Sequence, residues 1–119
     1  MNLIILTLIA ALCSTAASAA NIQAETEKDF NTVARWGVCL VDVVGEDRAK
    51  MAVHGKVAEI DAAFAKRYGR RATDVAEELH GGNFVVYYYE AAKAEHDRLG
   101  LKRDSFCAVQ DKKVSGLGH

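Results

Sequence analysis

The chain has 119 residues, half of them apolar, with 15 basic and 16 acidic side chains and no proline. Every charged residue lies after position 20, where 31 charges fall in 99 residues, the balance of an ordinary single soluble domain. That composition excludes a multidomain enzyme, a mature membrane-spanning protein, a collagen-like chain and a wholly disordered one. The net charge of −1 provides no global attraction to nucleic acid or an anionic membrane.

Leu3 to Cys13 is an apolar run broken only by Thr7. Eleven residues are too few for a stable bilayer anchor, which needs roughly 20. Small residues follow, and Ala17-Ser18-Ala19 has the A-x-A form of a signal-peptidase site. Residues 1–20 therefore read as a cleaved signal peptide, although the only positive charge ahead of the apolar run is the terminal amine. The mature chain is expected outside the cytoplasm, in the periplasm or secreted, with no membrane span left after processing. Cys13 leaves with the leader. Cys39 and Cys107 remain, and an even pair in an oxidising compartment predicts one disulfide.

Asn21 to Thr26 reads as a loose lead-in. From about Glu27 to Val44, Phe30, Val33, Gly37, Leu40, Val41 and Val44 recur at helical spacing, with Trp36 widening the stripe and Cys39 on its flank. Gly45 is a natural stop. A second helix from about Asp47 to Tyr68 carries Ala49, Val53, Val57, Ile60 and Phe64 on one face. Met51, Ala58, Ala62 and Ala65 lie opposite, so this helix is expected to sit centrally, covered on both sides. Thr73 or Asp74 can cap a short third helix, with Glu77 completing a capping box. His80-Gly81-Gly82 ends it.

Asn83 opens a fourth helix reaching Leu99. Phe84 to Tyr89 has strand propensity. However, Phe84, Tyr88, Ala91, Ala92 and Leu99 share a helical face, and no convincing second strand exists. A last helix, capped by Asp104, carries Phe106, Cys107 and Val109 to about Lys113. The expected fold is all-α: a small bundle of four to five short helices spanning residues 21–114, one Cys39–Cys107 disulfide, and a flexible tail at 115–119.

No nucleic-acid motif, phosphate loop, nucleophile elbow or metalloprotease motif is present. No cofactor is implied. The histidines show no metal-ligand spacing, and no metal site or catalytic set is assigned. Two features point to a partner surface. Lys66-Arg67 and Arg70-Arg71 form a basic knuckle around Gly69, and Tyr87 and Tyr89 flank the inward-pointing Tyr88. Tyrosine and arginine are favoured anchors of protein interfaces. The leading expectation is a non-enzymatic exported protein acting on a protein partner, as an inhibitor, immunity factor or chaperone, with a homodimer also compatible. The alternative is a small exported enzyme using Glu95, near the apolar face of the fourth helix, or the Glu77/His80 pair.

Trp36-Gly37-Val38-Cys39-Leu40 in the first helix, a leader before it and Cys107 near the end form a layout. It resembles that of the small helical immunity proteins that protect bacteria against secreted amidase effectors. Periplasmic acid-stress chaperones are similar in size and in their single disulfide. Neither resemblance rests on a family motif; both imply a protein partner.

Overall fold

The structure, a computed structural model, describes the backbone of residues 2–119 and the side chains of residues 19–119. Five α-helices follow one another: α1 (Asn2–Val44), α2 (Glu46–Tyr68), α3 (Ala72–His80), α4 (Phe84–Arg98) and α5 (Arg103–Ser115), with a 3₁₀ turn at Gly100–Lys102 before α5. No strand occurs among the described residues, and Phe84 to Tyr89 is helical. The fold is the all-α bundle expected. The apolar run of the leader lies outside the residues whose side chains are described.

The breaks between helices fall at glycines with positive φ, including Gly45 (89°), Gly69 (75°) and Gly81 (81°). Three helix starts differ from expectation; in α5, Lys102 precedes the helix and Asp104 lies within its first turn without capping it. Thr73 and Asp74 do not form a capping box; α3 begins at Ala72, with extended Arg71 ahead of it. Asp61 of α2 takes over the role, accepting bonds from the Thr73 amide at 2.9 Å and the Thr73 hydroxyl at 2.6 Å. Asp74 instead bonds Arg71. Asn83 likewise precedes α4 without a side-chain cap bond.

Helix α1, rather than α2, is central. It packs on α2, α3, α4 and α5, whereas α2 packs chiefly on α1 and α3. The inward stripe of α2 is as read, with Ala49, Ile60 and Phe64 buried. Its opposite face is open to solvent, with Met51, Ala58, Ala62 and Ala65 all exposed. Apolar periodicity all round a helix did not imply cover, because alanine carries little apolar area to be hidden. The close approach predicted for the alanines occurs on α1 instead. A methyl group at Gly37 would stand 2.8 Å from Val53 Cγ2, so a glycine lets α1 and α2 meet.

The lead-in at 21–26 is also helical and contributes to the core. Ile22 packs against the buried cluster, and Thr26 is fully buried, its hydroxyl donating to the Ile22 carbonyl at 2.8 Å. The core proper joins Phe30, Val33, Ile60, Phe64, Ala72, Ala76 and Tyr88. Phe30 stacks on Tyr88 (5.4 Å between centroids) and meets Phe84 edge-on (6.0 Å), which fixes α4 against α1. At the other end of the chain, Leu117 packs against the core, and its carbonyl accepts a bond from Lys56 of α2.

Cys39 and Cys107 form a disulfide between α1 and α5, with Cα atoms 5.7 Å apart. It closes a loop with a sequence separation of 68 residues. Chain entropy assigns such a loop about 4 kcal/mol. Helix α5 has little else to hold it, since only Gln110 and Val114 of its residues are buried. The Cys39→Ser/Cys107→Ser double variant is therefore expected to melt lower than the parent by about 10 °C or more. Thermal unfolding followed by circular dichroism checks this. An unchanged melting temperature would mean that α5 is held by packing alone.

Candidate functional site

Tyr87 and Tyr89 sit at the start of α4. The core contact of this helix runs through Phe84, Tyr88, Ala92 and His96, spaced by four, which turns the neighbouring positions outward. The result is a set of large apolar side chains facing solvent: Val85 (64% exposed), Val86 (54%), Tyr87 (51%) and Tyr89 (44%), with the two tyrosines on opposite flanks of the helix. Tyr87 is held rather than loose. Its ring stacks on His80 at 3.8 Å between centroids, nearly parallel. His80, at the end of α3, bonds the Glu27 carboxylate on α1. The same Glu27 oxygen accepts the Tyr88 hydroxyl at 2.8 Å. Burial, that hydrogen bond and the Glu27 charge together push the Tyr88 phenol above its usual range, so Tyr88 stays protonated as a donor.

The basic knuckle lies at the turn between α2 and α3. Three of its four cations have carboxylate partners within the chain. Arg67 pairs with Glu25 of α1 at 2.8 Å, and its guanidinium lies over the rings of Phe64 and Tyr68. Arg70 bonds Glu78. Arg71 grips Asp74 through two nitrogens, and that bond holds the Asp74 carboxyl below the ordinary carboxylate range. Lys66 is exposed and has no ion pair among the described residues. The knuckle is therefore a mixed-charge surface rather than a block of free cations. Helix α3 joins it to the tyrosines: Asp74 and Glu78 face the arginines, and His80 carries Tyr87.

The other candidates raised by the sequence are Glu95 and the Glu77/His80 pair, the latter bordering this surface. Glu95 is ion-paired with Arg35 of α1 at 2.9 Å, both about one-third exposed. It ties α4 to α1. Glu77 is exposed, and the carboxylate that His80 meets is Glu27, not Glu77. One turn of separation on a short helix left the choice of partner to tertiary packing.

A group of which the sequence singled out only Arg67 lies beside the knuckle. Glu25, Lys28 and Asp29 of α1, Arg67 of α2 and the terminal residues through His119 line an open cleft of about 440 Å³. Asp29 is 6% exposed. Burial, seconded by Glu25 and opposed by Lys28 and Arg67, pushes its carboxyl up to about 6. Tyr68 donates to Glu25, which raises the phenol. No serine, threonine or cysteine lines this cleft among the described residues. It can take up a proton near neutrality. Asp29 was obscured in the sequence because the segment just before it read as a lead-in, whereas the helix continues through it.

No protein-family model, curated protein or solved structure matches the chain.

The Asp29 shift has a pH consequence. A folded-state value above the unfolded 3.8 favours the folded chain while the carboxyl is protonated. That contribution is full below about pH 4 and is lost as pH rises through about 6. Asp29→Asn keeps the group neutral throughout. It is expected to stabilise the protein above pH 7 by about 3 kcal/mol, with the advantage vanishing below about pH 4. Urea unfolding of parent and variant at the two pH extremes measures the difference. An equal effect at both would remove the assignment.

Proposed function

We propose that the protein is exported and, once its leader is removed, acts by binding a protein partner, as an inhibitor, immunity factor or chaperone. The observation that carries the reading is the exposed apolar side chains of α4: Val85, Val86, Tyr87 and Tyr89 face solvent around the side of the helix away from the core, with the two tyrosines on opposite flanks. Such apolar area is unfavourable in water and is retained where something covers it. Tyr87 is held by its stack on His80, so little side-chain entropy is lost when a partner covers it. The mixed-charge surface of Arg70, Arg71, Asp74 and Glu78 beside it supplies polar rim contacts.

The pairing of the arginines decides what they contribute. Cations already neutralised by Glu78 and Asp74 project little field, so they act as short-range contacts rather than long-range steering groups. Only Lys66 remains without such a partner among the described ion pairs. The region 66–71 thus supports recognition of polar detail, and the tyrosines supply apolar anchorage.

Export is supported by the sequence of the leader. Among the described residues, the first side chain packed against the core is Ile22. Cleavage after Ala19 or Ala20 leaves that core whole. The intact mass of the mature protein is expected to begin at Ala20 or Asn21, measured on protein recovered from the envelope or medium. A mature species that retains Met1 to Cys13 would contradict export by cleavage.

The partner surface is tested with whichever protein co-purifies from the native envelope fraction. Tyr87→Ala and Tyr89→Ala are each expected to speed dissociation by about tenfold or more, the scale of an interface anchor. Arg70→Ala/Arg71→Ala is expected to change the association rate by no more than about threefold, because those charges are compensated. Surface plasmon resonance reads both rates, and circular dichroism checks that helicity is kept. Unchanged kinetics in all three would place the binding surface elsewhere.

A further inference from the structure

His96 is the one histidine fully enclosed, 6% exposed on the inner face of α4. It lies against the disulfide. The sulfurs of Cys39 and Cys107 and a ring nitrogen of His96 all fall within 4.8 Å of one another. Three helices supply these groups: α1, α4 and α5. Carboxylates flank the ring, with Asp42 Oδ2 3.5 Å from Nε2 and Asp97 Oδ1 3.9 Å from Nδ1. One helical turn on from Cys107, the buried Gln110 Oε1 is the only enclosed side-chain polar atom without a hydrogen-bond partner among the described residues.

We propose that opening the disulfide converts this cluster into a tetrahedral zinc-type site, with Cys39, Cys107 and His96 as ligands and water in the fourth position. A dithiol opens the bond. Its thiolate attacks Cys107, the more exposed cysteine of the pair, and Cys39 leaves as a thiolate. The second thiol of the reductant then releases Cys107, and the reductant departs as its own disulfide. The two protein thiols lose their protons to solvent as the metal binds.

The geometry required is close to the geometry present. Zn–S bonds of about 2.3 Å and a Zn–N bond of about 2.0 Å place two sulfurs about 3.8 Å apart in a tetrahedron, and sulfur and nitrogen about 3.5 Å apart. Helix backbones 5.7 Å apart at Cα reach this by side-chain rotation. Two thiolates and an imidazole favour zinc or cobalt over magnesium or calcium. Zinc histidines characteristically turn the second ring nitrogen to a carboxylate, which Asp42 stands nearest to provide. The disulfide and the metal are then alternative uses of one pair of sulfurs. Either staples α1 to α5, and only the metal draws in α4. This inference stands apart from the proposed partner surface, which shares none of its residues.

The test uses the full mature chain, reduced under argon with a phosphine that is then removed, and titrated with Co²⁺. The expected result is one equivalent of cobalt with thiolate charge-transfer absorption and the intense visible bands of a tetrahedral ion. Zn²⁺ should bleach them, and the oxidised chain should show no such bands. His96→Ala, whose fold is verified in the oxidised form, should bind at least about 100-fold more weakly, and Asp42→Asn about tenfold more weakly. His54→Ala should bind as the parent does. Circular dichroism of the reduced chain without and with zinc covers loss of structure on reduction, since zinc should then restore helicity. Absence of the tetrahedral spectrum, equal affinity in His96→Ala, or failure of zinc to restore a lost fold would each overturn the proposal.

Discussion

Helix α1 is the surface on which the other four helices bury their apolar faces. Helices of 9, 13 and 15 residues, the lengths of α3, α5 and α4, are marginal on their own in water, and packing supplies what propensity does not. Phe30 and Val33 meet the core of α2, α3 and α4, while Cys39 takes hold of α5. Polar groups on the same helix complete the arrangement. Glu25 holds Arg67 and Tyr68, Glu27 holds His80 and Tyr88, and Arg35 holds Glu95. Together they tie successive turns of α1 to α2, α3 and α4. Disturbing α1 therefore disturbs every site described above at once.

The sequence made the helices legible because apolar periodicity and glycine breaks are local signals. Gly45, Gly69 and Gly81 fall where the backbone needs positive φ, and Phe30, Val33, Ile60, Phe64 and Tyr88 fall in the core. What failed was the choice among partners. Met51 and the alanines of α2 looked covered, yet nothing in local spacing says whether a neighbour exists to cover them. Asp74 had a capping glutamate at the right distance, but Arg71 and Asp61 competed for the same groups and prevailed. His80 had Glu77 one turn away and chose Glu27, 53 residues distant. Side-chain partners across helices depend on packing angles that no periodicity encodes.

The same reasoning applies to charge. Lys66, Arg67, Arg70 and Arg71 read as a basic patch because the sequence lists them together, while their acids are scattered at 25, 74 and 78. Folding gathers the opposite charges and leaves a surface of alternating sign. The tyrosines went the other way. Tyr87-Tyr88-Tyr89 offers three equivalent rings, and helix geometry alone separates them: Tyr88 enters the core, Tyr87 lies on His80, and Tyr89 faces water. The candidate surface is thus defined less by which residues are present than by which ones the fold leaves facing solvent.

His96 shows why the chemistry near the disulfide was the least legible part. The sequence placed Ala91, Ala92 and Leu99 on the buried face of α4, mixing spacings of three and four. The actual contact with α1 follows spacings of four through Tyr88, Ala92 and His96, which leaves Ala91 exposed and brings the imidazole inward. A buried imidazole is costly unless polar groups meet it, and here Asp42, Asp97 and the sulfur pair surround it. An aliphatic residue would fill that space at lower cost if packing were its only purpose. The histidine lies 57 residues from Cys39 and 11 from Cys107, so no short motif could expose the trio. Only the crossing of α4 over the α1–α5 seam makes them neighbours, and that crossing is set by the Phe30–Tyr88 stack two turns away.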